Sequence, residues 1–330
     1  MRDNSSFKRK FEKLNKKILN VKDIDAGILG GIHEKYWINC GAKQYLFKYN
    51  QSEKDYSDFG EVFTSFICYV LGLKCVKSSF EEDFFEYEGK KKHGVLIESY
   101  RTKNVKESFS LSSLLEKYKR RCVSNYGYTA EEAFSVAKEF CLDNNIILDE
   151  NLEQELKEMA LMDYLLTQCD RHAKNIEFLV LEKEGIKVLK LAPMFDNGFC
   201  LHLHNSTKEN IKTLQKHLIK KYIEVGLTHD NPKPKFYIEK TETLFDEGEC
   251  IVSDLATELL ENKRLMDVYN NFCQLDINEE INFVASMKEG SIPEINKQLI
   301  NLSIKNRIRL LNNELLRQQF IDEKFEQVEE

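Results

Sequence analysis

The sequence predicts a two-lobed α+β fold, in which an N-terminal lobe of β-strands with one helix precedes a mostly helical C-terminal lobe. The 330 residues are enough for two lobes that each have a hydrophobic core. Up to about residue 100, runs rich in aromatic and β-branched residues alternate with turns, and from Ser110 onward apolar residues recur at helical spacing. We therefore place the lobes at residues 1–100 and 101–330.

The composition narrows the class of protein. Hydrophobic residues make up 42% of the chain and charged residues 31%, as in ordinary globular proteins, and the net charge of −7 argues against a nucleic-acid-binding protein. Nine cysteines occur without a C-x-x-C pair, which is typical of a reducing compartment and disfavours a zinc site. Residues 1–17 lack the apolar segment of a signal peptide, and no apolar run approaches membrane-spanning length. We expect a cytoplasmic monomer, and secretion as a leaderless effector stays open.

A glycine loop begins the N-terminal lobe. Gly27, Gly30 and Gly31 precede two predicted strands, residues 36–39 and 44–49. Glycines let backbone N–H groups close on phosphates that side chains would obstruct. The spacing matches neither G-x-G-x-x-G nor the Walker pattern, so a flexible turn is the alternative.

Lys48 and Glu61 form a candidate ion pair. Lys48 lies in the second strand, and Glu61 lies near the start of a predicted helix, residues 57–73, which has an apolar stripe at 3.6-residue spacing. In phosphoryl-transfer folds, a strand lysine at this place contacts phosphates and pairs with a glutamate of the next helix. Two alternatives stay open: Lys48 on a solvated strand face, and Glu61 in a capping box with Asp58.

Further strands complete the N-terminal lobe. Residues 74–80, 84–87 and 95–100 have strand patterns, and the last would lead into a hinge between the lobes. By order alone, the backbone around Glu98 and Tyr100 is then expected to contact an adenine edge.

The C-terminal lobe begins with three predicted helices, and more follow near the end of the chain. The first three cover residues 111–120, 129–142 and 151–168, and the later ones cover residues 208–225, 250–263, 265–274, 277–288 and 293–319. The third helix would present Asp170 at its C-terminal end on a rigid support.

Asp170, Asn175 and Asp196 are candidate catalytic and metal-binding residues. Asp170 and Asn175 have the spacing D-x-x-x-x-N, which places a carboxylate at an acceptor hydroxyl and an amide oxygen on a metal ion. Strand runs at 176–181 and 186–191 predict a hairpin that brings Asp196 back beside Asn175. Carboxylate and amide oxygens suit Mg²⁺. Each motif alone also occurs by chance or as an ordinary turn.

Two segments carry a resemblance to a known family. Cys169-Asp170-Arg-His-Ala-Lys-Asn175-Ile and Ala192-Pro-Met-Phe-Asp196-Asn-Gly198 resemble the catalytic and metal-binding loops of HipA-like kinases, including their cell-translocating relatives. The Asp-Arg-His-x-x-Asn core is also similar to that of phosphatidylinositol 3- and 4-kinases. The resemblance implies a bilobal protein-kinase-like fold. The N-lobe would have a β-sheet with one helix, and the C-lobe would be mostly helical.

The resemblance also implies roles for the candidate residues. Asp170 would orient and deprotonate the acceptor, and Asn175 and Asp196 would hold Mg²⁺. Lys48 would place the ATP phosphates, and Glu61 would fix Lys48. The resemblance favours the ion pair between Lys48 and Glu61 over the capping box. It also places Gly27, Gly30 and Gly31 over the phosphates.

His172 and Lys174 belong to the same catalytic loop, with roles left open. His172 could hydrogen-bond the transferring phosphate or brace the loop, and Lys174 is the alternative cation for the γ-phosphate. Asn197 stands where other kinases have the phenylalanine of Asp-Phe-Gly, so a phenylalanine switch is not expected. Residues 27–31 contain no serine to match the loop serine that the family autophosphorylates, and the chain is shorter than toxin-type HipA proteins.

The expected function is therefore an ATP- and Mg²⁺-dependent serine/threonine protein kinase that also phosphorylates itself. Its partner would be a protein with a serine or threonine hydroxyl. A phosphatidylinositol-type lipid kinase and a non-catalytic pseudokinase remain as alternatives.

Overall fold

The structure is a computed structural model that describes residues 5–14, 23–25, 35–40, 43–50, 55–87, 90–119, 128–168, 170–198, 200–201, 236–237, 247–288, 290 and 292–329. The chain divides into two compact units. The first unit contains Met1–Val105, Ala192–Lys212 and Asp276–Asn301. The second unit contains Lys106–Leu191, Thr213–Leu275 and Leu302–Glu330. The first unit therefore takes in two segments from later in the chain.

Helices and strands of the described residues are numbered in chain order. The helices are α1 (Ser5–Leu14), α2 (Ser57–Leu71), α3 (Leu111–Lys119), α4 (Ala130–Asn144), α5 (Leu152–Leu165), α6 (Glu247–Glu261), α7 (Lys263–Cys273), α8 (Ile277–Ser286) and α9 (Glu294–Glu329). The strands are β1 (Asp23–Asp25), β2 (Lys35–Cys40), β3 (Lys43–Tyr49), β4 (Ser78–Tyr87), β5 (Lys90–Glu98), β6 (Val105–Ser110), β7 (Tyr128–Thr129), β8 (Ile147–Leu148), β9 (Glu177–Lys183), β10 (Ile186–Leu191) and β11 (Phe236–Tyr237). Among the described residues, no helix is both long and apolar enough to cross a membrane.

The first unit is built on an antiparallel sheet with strand order β1-β2-β3-β5-β4. Alternating side chains of these strands divide between the two faces of the sheet. One face carries a buried apolar cluster of Ile38, Tyr45, Phe47, Tyr49 and Leu96. Lys48 points to the opposite face, because the side chains of neighbouring residues alternate along β3.

Helix α2 covers that opposite face. Phe80 of β4 lies in register with Val95, which in turn lies opposite Lys48, and Phe80 stacks on Phe59 of α2 with 6.4 Å between ring centroids. Two turns further along α2, Phe66 packs against Phe11 of α1 and Phe283 of α8, each at 5.0 Å between ring centroids. The helix is thus buried among elements from three parts of the chain.

The second unit contains a four-stranded sheet and most of the helices. Its strand order is β6-β9-β10-β8, and β9 pairs antiparallel with β10 as the predicted hairpin. Both turn residues have positive φ, 54° at Glu184 and 78° at Gly185, the signature of a type I′ hairpin turn. Helix α4 starts with a full capping box, in which Thr129 and Glu132 bind each other's backbone N–H.

The strands differ from the sequence-based predictions at several places, of which two bear on the lobes. Strand β4 is continuous from Ser78 to Tyr87, with an irregular register between Glu81 and Phe85, where the sequence predicts two strands from residue 74. The segment before β4 instead pairs with Met194, which donates to the Lys74 carbonyl and accepts from the Val76 N–H. Strand β6 has mixed polar and aromatic composition and was not predicted. The predicted helix at 208–225 lies outside the described residues.

Candidate functional site

Lys48 lies at the centre of a buried charge cluster in the first unit. Its Nζ donates to Glu61 Oε1 of α2 at 2.6 Å and to Asp196 Oδ1 at 2.5 Å. Only 7% of Lys48 is exposed. Burial by itself lowers the pKa of Lys48, but Glu61 and Asp196 outweigh burial and raise it above the ordinary value. Lys48 is therefore a fixed cation between two carboxylates.

Glu61 forms the predicted ion pair and not the capping box. No side chain caps the start of α2 from its N-cap residue, Tyr56. The Ser57 N–H instead donates to Asp55, and Asp58 accepts from the Phe59 N–H and from Lys288. Glu61 Oε2 is buried without a hydrogen-bond partner among the described residues. A buried carboxylate with one unused oxygen is uncommon in a purely structural role.

The Asp196 loop, which we define as Met194–Gly198 together with Cys200, is anchored on both sides of Asp196. Met194 binds the segment before β4 through the two backbone hydrogen bonds described above. The Cys200 thiol lies 3.5 Å from the carbonyl oxygen of Gly60, to which it donates, and 3.3 Å from Thr64 Oγ1. Asp196 itself has a left-handed backbone, with φ of 57°. Aspartate adopts this conformation more readily than most non-glycine residues.

Gly198 lies two residues after Asp196, and the positive φ of this loop belongs to Asp196 and not to Gly198. A Cβ at Gly198 would make a tight contact with Ser57 Cβ at 3.2 Å and an ordinary contact with Glu61 Oε1 at 3.7 Å. The loop therefore packs directly against the start of α2.

The second candidate group is the loop around Asp170, in the second unit. The Asp170 N–H donates to Gln168 Oε1 at 3.0 Å, and the Asp170 carbonyl accepts from the His172 N–H and from Asn175 Nδ2, the latter at 2.9 Å. Asn175 closes a short 3-10 helix, Ala173–Asn175, that leads into β9. The loop holds the Asn175 nitrogen, which leaves its amide oxygen as the atom that could bind a cation.

His172 and Lys174 differ in exposure. Lys174 is exposed, whereas His172 is half-buried and its Nδ1 has no hydrogen-bond partner among the described residues. Lys174 is thus free to reach a ligand in solution. His172 has a nitrogen to offer a ligand or a water, and its role stays a prediction.

A buried ion pair beneath this loop was not predicted from the sequence. Arg171 is 1% exposed and its guanidinium binds Asp163 of α5, with Nε 3.0 Å from Oδ2 and Nη2 3.0 Å from Oδ1. Burial raises the pKa of Asp163, and the charge of Arg171 opposes that shift. The two contacts hold Arg171 in the interior, so the residue after Asp170 anchors the loop to α5. The spacing of Asp163 and Arg171 in the sequence does not indicate this pair, because polar residues separate them as well as apolar ones.

The remaining predicted residues concern the nucleotide. Gly27, Gly30 and Gly31 lie outside the described residues. Glu98 ends β5, and its side chain binds Lys43 at 2.8 Å. Tyr100 follows and packs its ring on Phe195, with 5.6 Å between centroids. The N–H groups of Glu98 and Ser99 already donate to the Lys77 and Gln44 carbonyls, so an adenine at this segment would need other backbone groups.

A cavity of about 320 Å³ in the first unit is separate from Lys48, Glu61 and Asp196. Thirteen residues line it: Phe11, Lys43, Tyr45, Ser65, Tyr69, Leu73, Lys74, Cys75, Lys77, Ser78, Ser79, Glu98 and Pro193. None of the three residues of the charge cluster is among them. The cavity therefore adds nothing to the chemistry of the cluster.

The oxygen atoms that Asp196 and Asn175 offer fit Mg²⁺ better than a softer metal. Within the described part of the chain, no group of three or more His, Cys, Asp or Glu side chains could hold a metal ion. Mg²⁺ does not need such a group, because it takes one or two protein oxygens and completes its shell with phosphate oxygens and water. Asp196, with 24% of its side chain exposed, offers such an oxygen, and so does Asn175.

Comparisons with known proteins support the fold. No protein-family model matches the chain, and no curated protein does. Among solved structures, the Helicobacter pylori proinflammatory kinase CtkA has a TM-score of 0.59 at 18% identity, covering 89% of this chain and 96% of that one. HipA of Shewanella oneidensis MR-1, from a toxin–antitoxin system solved with HipB and operator DNA, has a TM-score of 0.49 at 12% identity, covering 93% of this chain and 70% of that one. The likeness to CtkA confirms the predicted α+β kinase-like fold, and in fold the chain resembles HipA-like kinases.

Proposed function

We propose that the chain is an ATP- and Mg²⁺-dependent protein kinase of the HipA-like type, which transfers the γ-phosphate to a serine or threonine hydroxyl. The observation that carries this proposal is the buried Lys48, bound at once to Glu61 at 2.6 Å and to Asp196 at 2.5 Å. A strand, a helix and a distant loop contribute these three residues. Phosphotransferases use the same combination, a phosphate-binding lysine held by a helix glutamate beside a metal-binding aspartate. The kinase CtkA, which has the same fold, supports it.

The proposed roles follow from what each group can do. Lys48 carries a fixed positive charge that binds phosphate oxygens, and Glu61 holds its side chain in place. Asp196 and Asn175 supply the oxygen ligands for Mg²⁺, which when bound neutralises charge on the phosphates. Asp170 accepts the proton of the acceptor hydroxyl, and its backbone is held on both sides. That Asn175 and Asp196 share one Mg²⁺ stays a prediction.

The test is transfer of labelled γ-phosphate from Mg·ATP to the protein itself and to a generic basic protein. The wild-type protein is expected to label both. Asp170→Ala removes the general base, and we expect its rate to fall by about a hundredfold or more. Asp267→Asn, at an exposed carboxylate of α7, is the control and should label like wild type. A fully active Asp170→Ala variant would contradict the assignment of the base.

The same assay separates the two alternatives. Label that enters inositol lipid vesicles but no protein would replace the protein kinase with a lipid kinase. ATP-dependent thermal stabilisation without any label would indicate a pseudokinase, because binding to the folded state alone raises stability. Either result would overturn the proposal in a defined direction.

Glu61→Gln should weaken the use of ATP without unfolding the protein. Glutamine keeps the shape of Glu61 but not its charge, and Lys48 would then be drawn toward Asp196 alone. Since hydrogen bonds to charged groups contribute about 1.5–3 kcal/mol, we expect kcat/KM for ATP to fall about 10–100-fold. Steady-state kinetics measures this change. Glu139→Gln, in an exposed pair with Lys119, is the matched control. Unchanged kcat/KM in Glu61→Gln would remove Glu61 from the mechanism.

A further inference from the structure

Helix α2 and the Asp196 loop approach each other so closely at Gly60 that a side chain there would make unusually tight contacts. A Cβ built at Gly60 would lie 3.1 Å from the Asn197 carbonyl oxygen, 3.1 Å from Cys200 Sγ and 3.2 Å from the Gly198 carbonyl oxygen. On the loop side of the same contact, a Cβ at Gly198 would meet Ser57 of the helix. The helix and the loop thus each contribute one glycine to the contact. Two of the three atoms around Gly60 belong to the loop backbone, which cannot rotate away as a side chain could.

Gly60 is an unfavourable residue for its place in the helix. It lies one turn inside α2, where alanine is a much better helix former than glycine. Its φ is not positive, so the backbone does not require glycine. Space against the loop is the remaining physical reason for glycine at this position.

The contact between Gly60 and the Asp196 loop lies close to both carboxylates that bind Lys48. Gly60 is the neighbour of Glu61 in sequence, and the loop atoms that it touches belong to Asn197, Gly198 and Cys200, directly after Asp196. The Cys200 thiol adds hydrogen bonds with the Gly60 carbonyl and with Thr64 one turn later. The distance between helix and loop therefore sets how far Asp196 lies from the Lys48 amine that Glu61 holds.

We propose that Gly60 is a positioning residue, which sets the separation between α2 and the Asp196 loop so that both carboxylates bind Lys48 at once. This inference rests on the proposed function for its effect on phosphoryl transfer. A side chain at Gly60 pushes the loop by a few tenths of an ångström and displaces the Asp196 carboxylate. A displacement of that size uses up much of the roughly half-ångström tolerance within which catalytic groups need to be held, so a moderate loss of rate follows.

The experiment compares Gly60→Ala with wild type in the full chain. We expect kcat to fall about 3–10-fold, and half-maximal activity to need more Mg²⁺, since Asp196 is the displaced ligand. The thermal midpoint should stay close to that of wild type. Val70→Ala, at a half-buried position near the far end of α2, is the control for weakened packing and should keep the wild-type kcat and Mg²⁺ dependence.

A second measurement is independent of activity. Acetic anhydride labelling of Lys48, followed by peptide mass spectrometry, reports how well the amine is held. Wild type should label slowly, because Lys48 is buried between two carboxylates. Gly60→Ala should label faster, because the added Cβ displaces the Asp196 carboxylate that shares the amine.

The outcomes distinguish this inference from the proposed function. If the wild-type protein transferred no phosphoryl group, the proposed function would be wrong. The comparison of Lys48 labelling would still test the role of Gly60. An active wild type with unchanged kcat, Mg²⁺ dependence and Lys48 labelling in Gly60→Ala would overturn the inference. If Gly60→Ala does not fold, Gly198→Ala tests the same contact from the loop, where the Cβ would meet Ser57 at 3.2 Å. Wild-type labelling of Lys48 in a folded Gly198→Ala would then overturn it.

Discussion

Asp196→Asn is expected to lose at least about a thousandfold in the rate of phosphoryl transfer, because metal-assisted charge stabilisation is worth several kcal/mol. Asparagine is nearly the same size as aspartate but has one oxygen and no charge. It would bind Mg²⁺ weakly and would no longer bind Lys48 as an ion pair. The rate of γ-phosphate transfer at saturating Mg·ATP measures the effect.

The fold of Asp196→Asn should survive. Lys48 keeps its bond to Glu61, so the loss of one charged partner should cost about 1–3 kcal/mol of unfolding free energy. The fluorescence of Trp37, the single tryptophan of the chain, reports unfolding of the sheet that carries Lys48. Asp267→Asn again serves as the control. If Asp196→Asn kept wild-type turnover, Asp196 could not be the metal ligand.

The parts of the site that the sequence predicts are those with a local pattern. Lys48 lies in a run with three aromatic residues that is typical of a strand, and Glu61 lies near the start of a helix with an apolar stripe at 3.6-residue spacing. The order of strand and helix made the pair a candidate, the family resemblance favoured it over the capping box, and the structure joins the two residues at 2.6 Å. The β9–β10 hairpin was predicted for the same reason, since its strands and its Glu184-Gly185 turn are both local signals.

The parts that the sequence does not predict depend on contacts between distant segments. Asp58 has the spacing of a capping box, yet it binds Lys288, which lies 230 residues away. Lys288 also lies 5.3 Å from the Phe80 ring centroid, and nothing in its own segment indicates either contact. In the sequence, Gly60 is simply a poor helix former inside a helix. Its close packing against the Asp196 loop becomes visible only in the structure. Long-range packing overrides local propensity at each of these positions.

Asp163→Ala is expected to destabilise the second unit by about 3–5 kcal/mol, because it leaves the Arg171 guanidinium buried without its carboxylate. Both side chains are almost completely buried, so water cannot replace the lost partner. Chemical denaturation followed by far-UV circular dichroism measures the change. Lys119→Met breaks an exposed pair of the same unit, at 2.8 Å, and should cost less than about 1 kcal/mol. Equal losses of unfolding free energy in the two variants would show that burial does not increase the cost of breaking an ion pair.

The double variant Asp163→Leu/Arg171→Met separates stability from catalysis. Replacing a buried ion pair by apolar residues of similar size is often neutral or stabilising, so the unfolding free energy should return to within about 1–2 kcal/mol of wild type. Turnover should nevertheless stay about tenfold low, because methionine cannot make the two directed contacts that fix the residue next to Asp170. Recovery of stability together with full turnover would make the pair purely structural. Recovery of stability alone would show that the pair holds Asp170 in position for proton transfer.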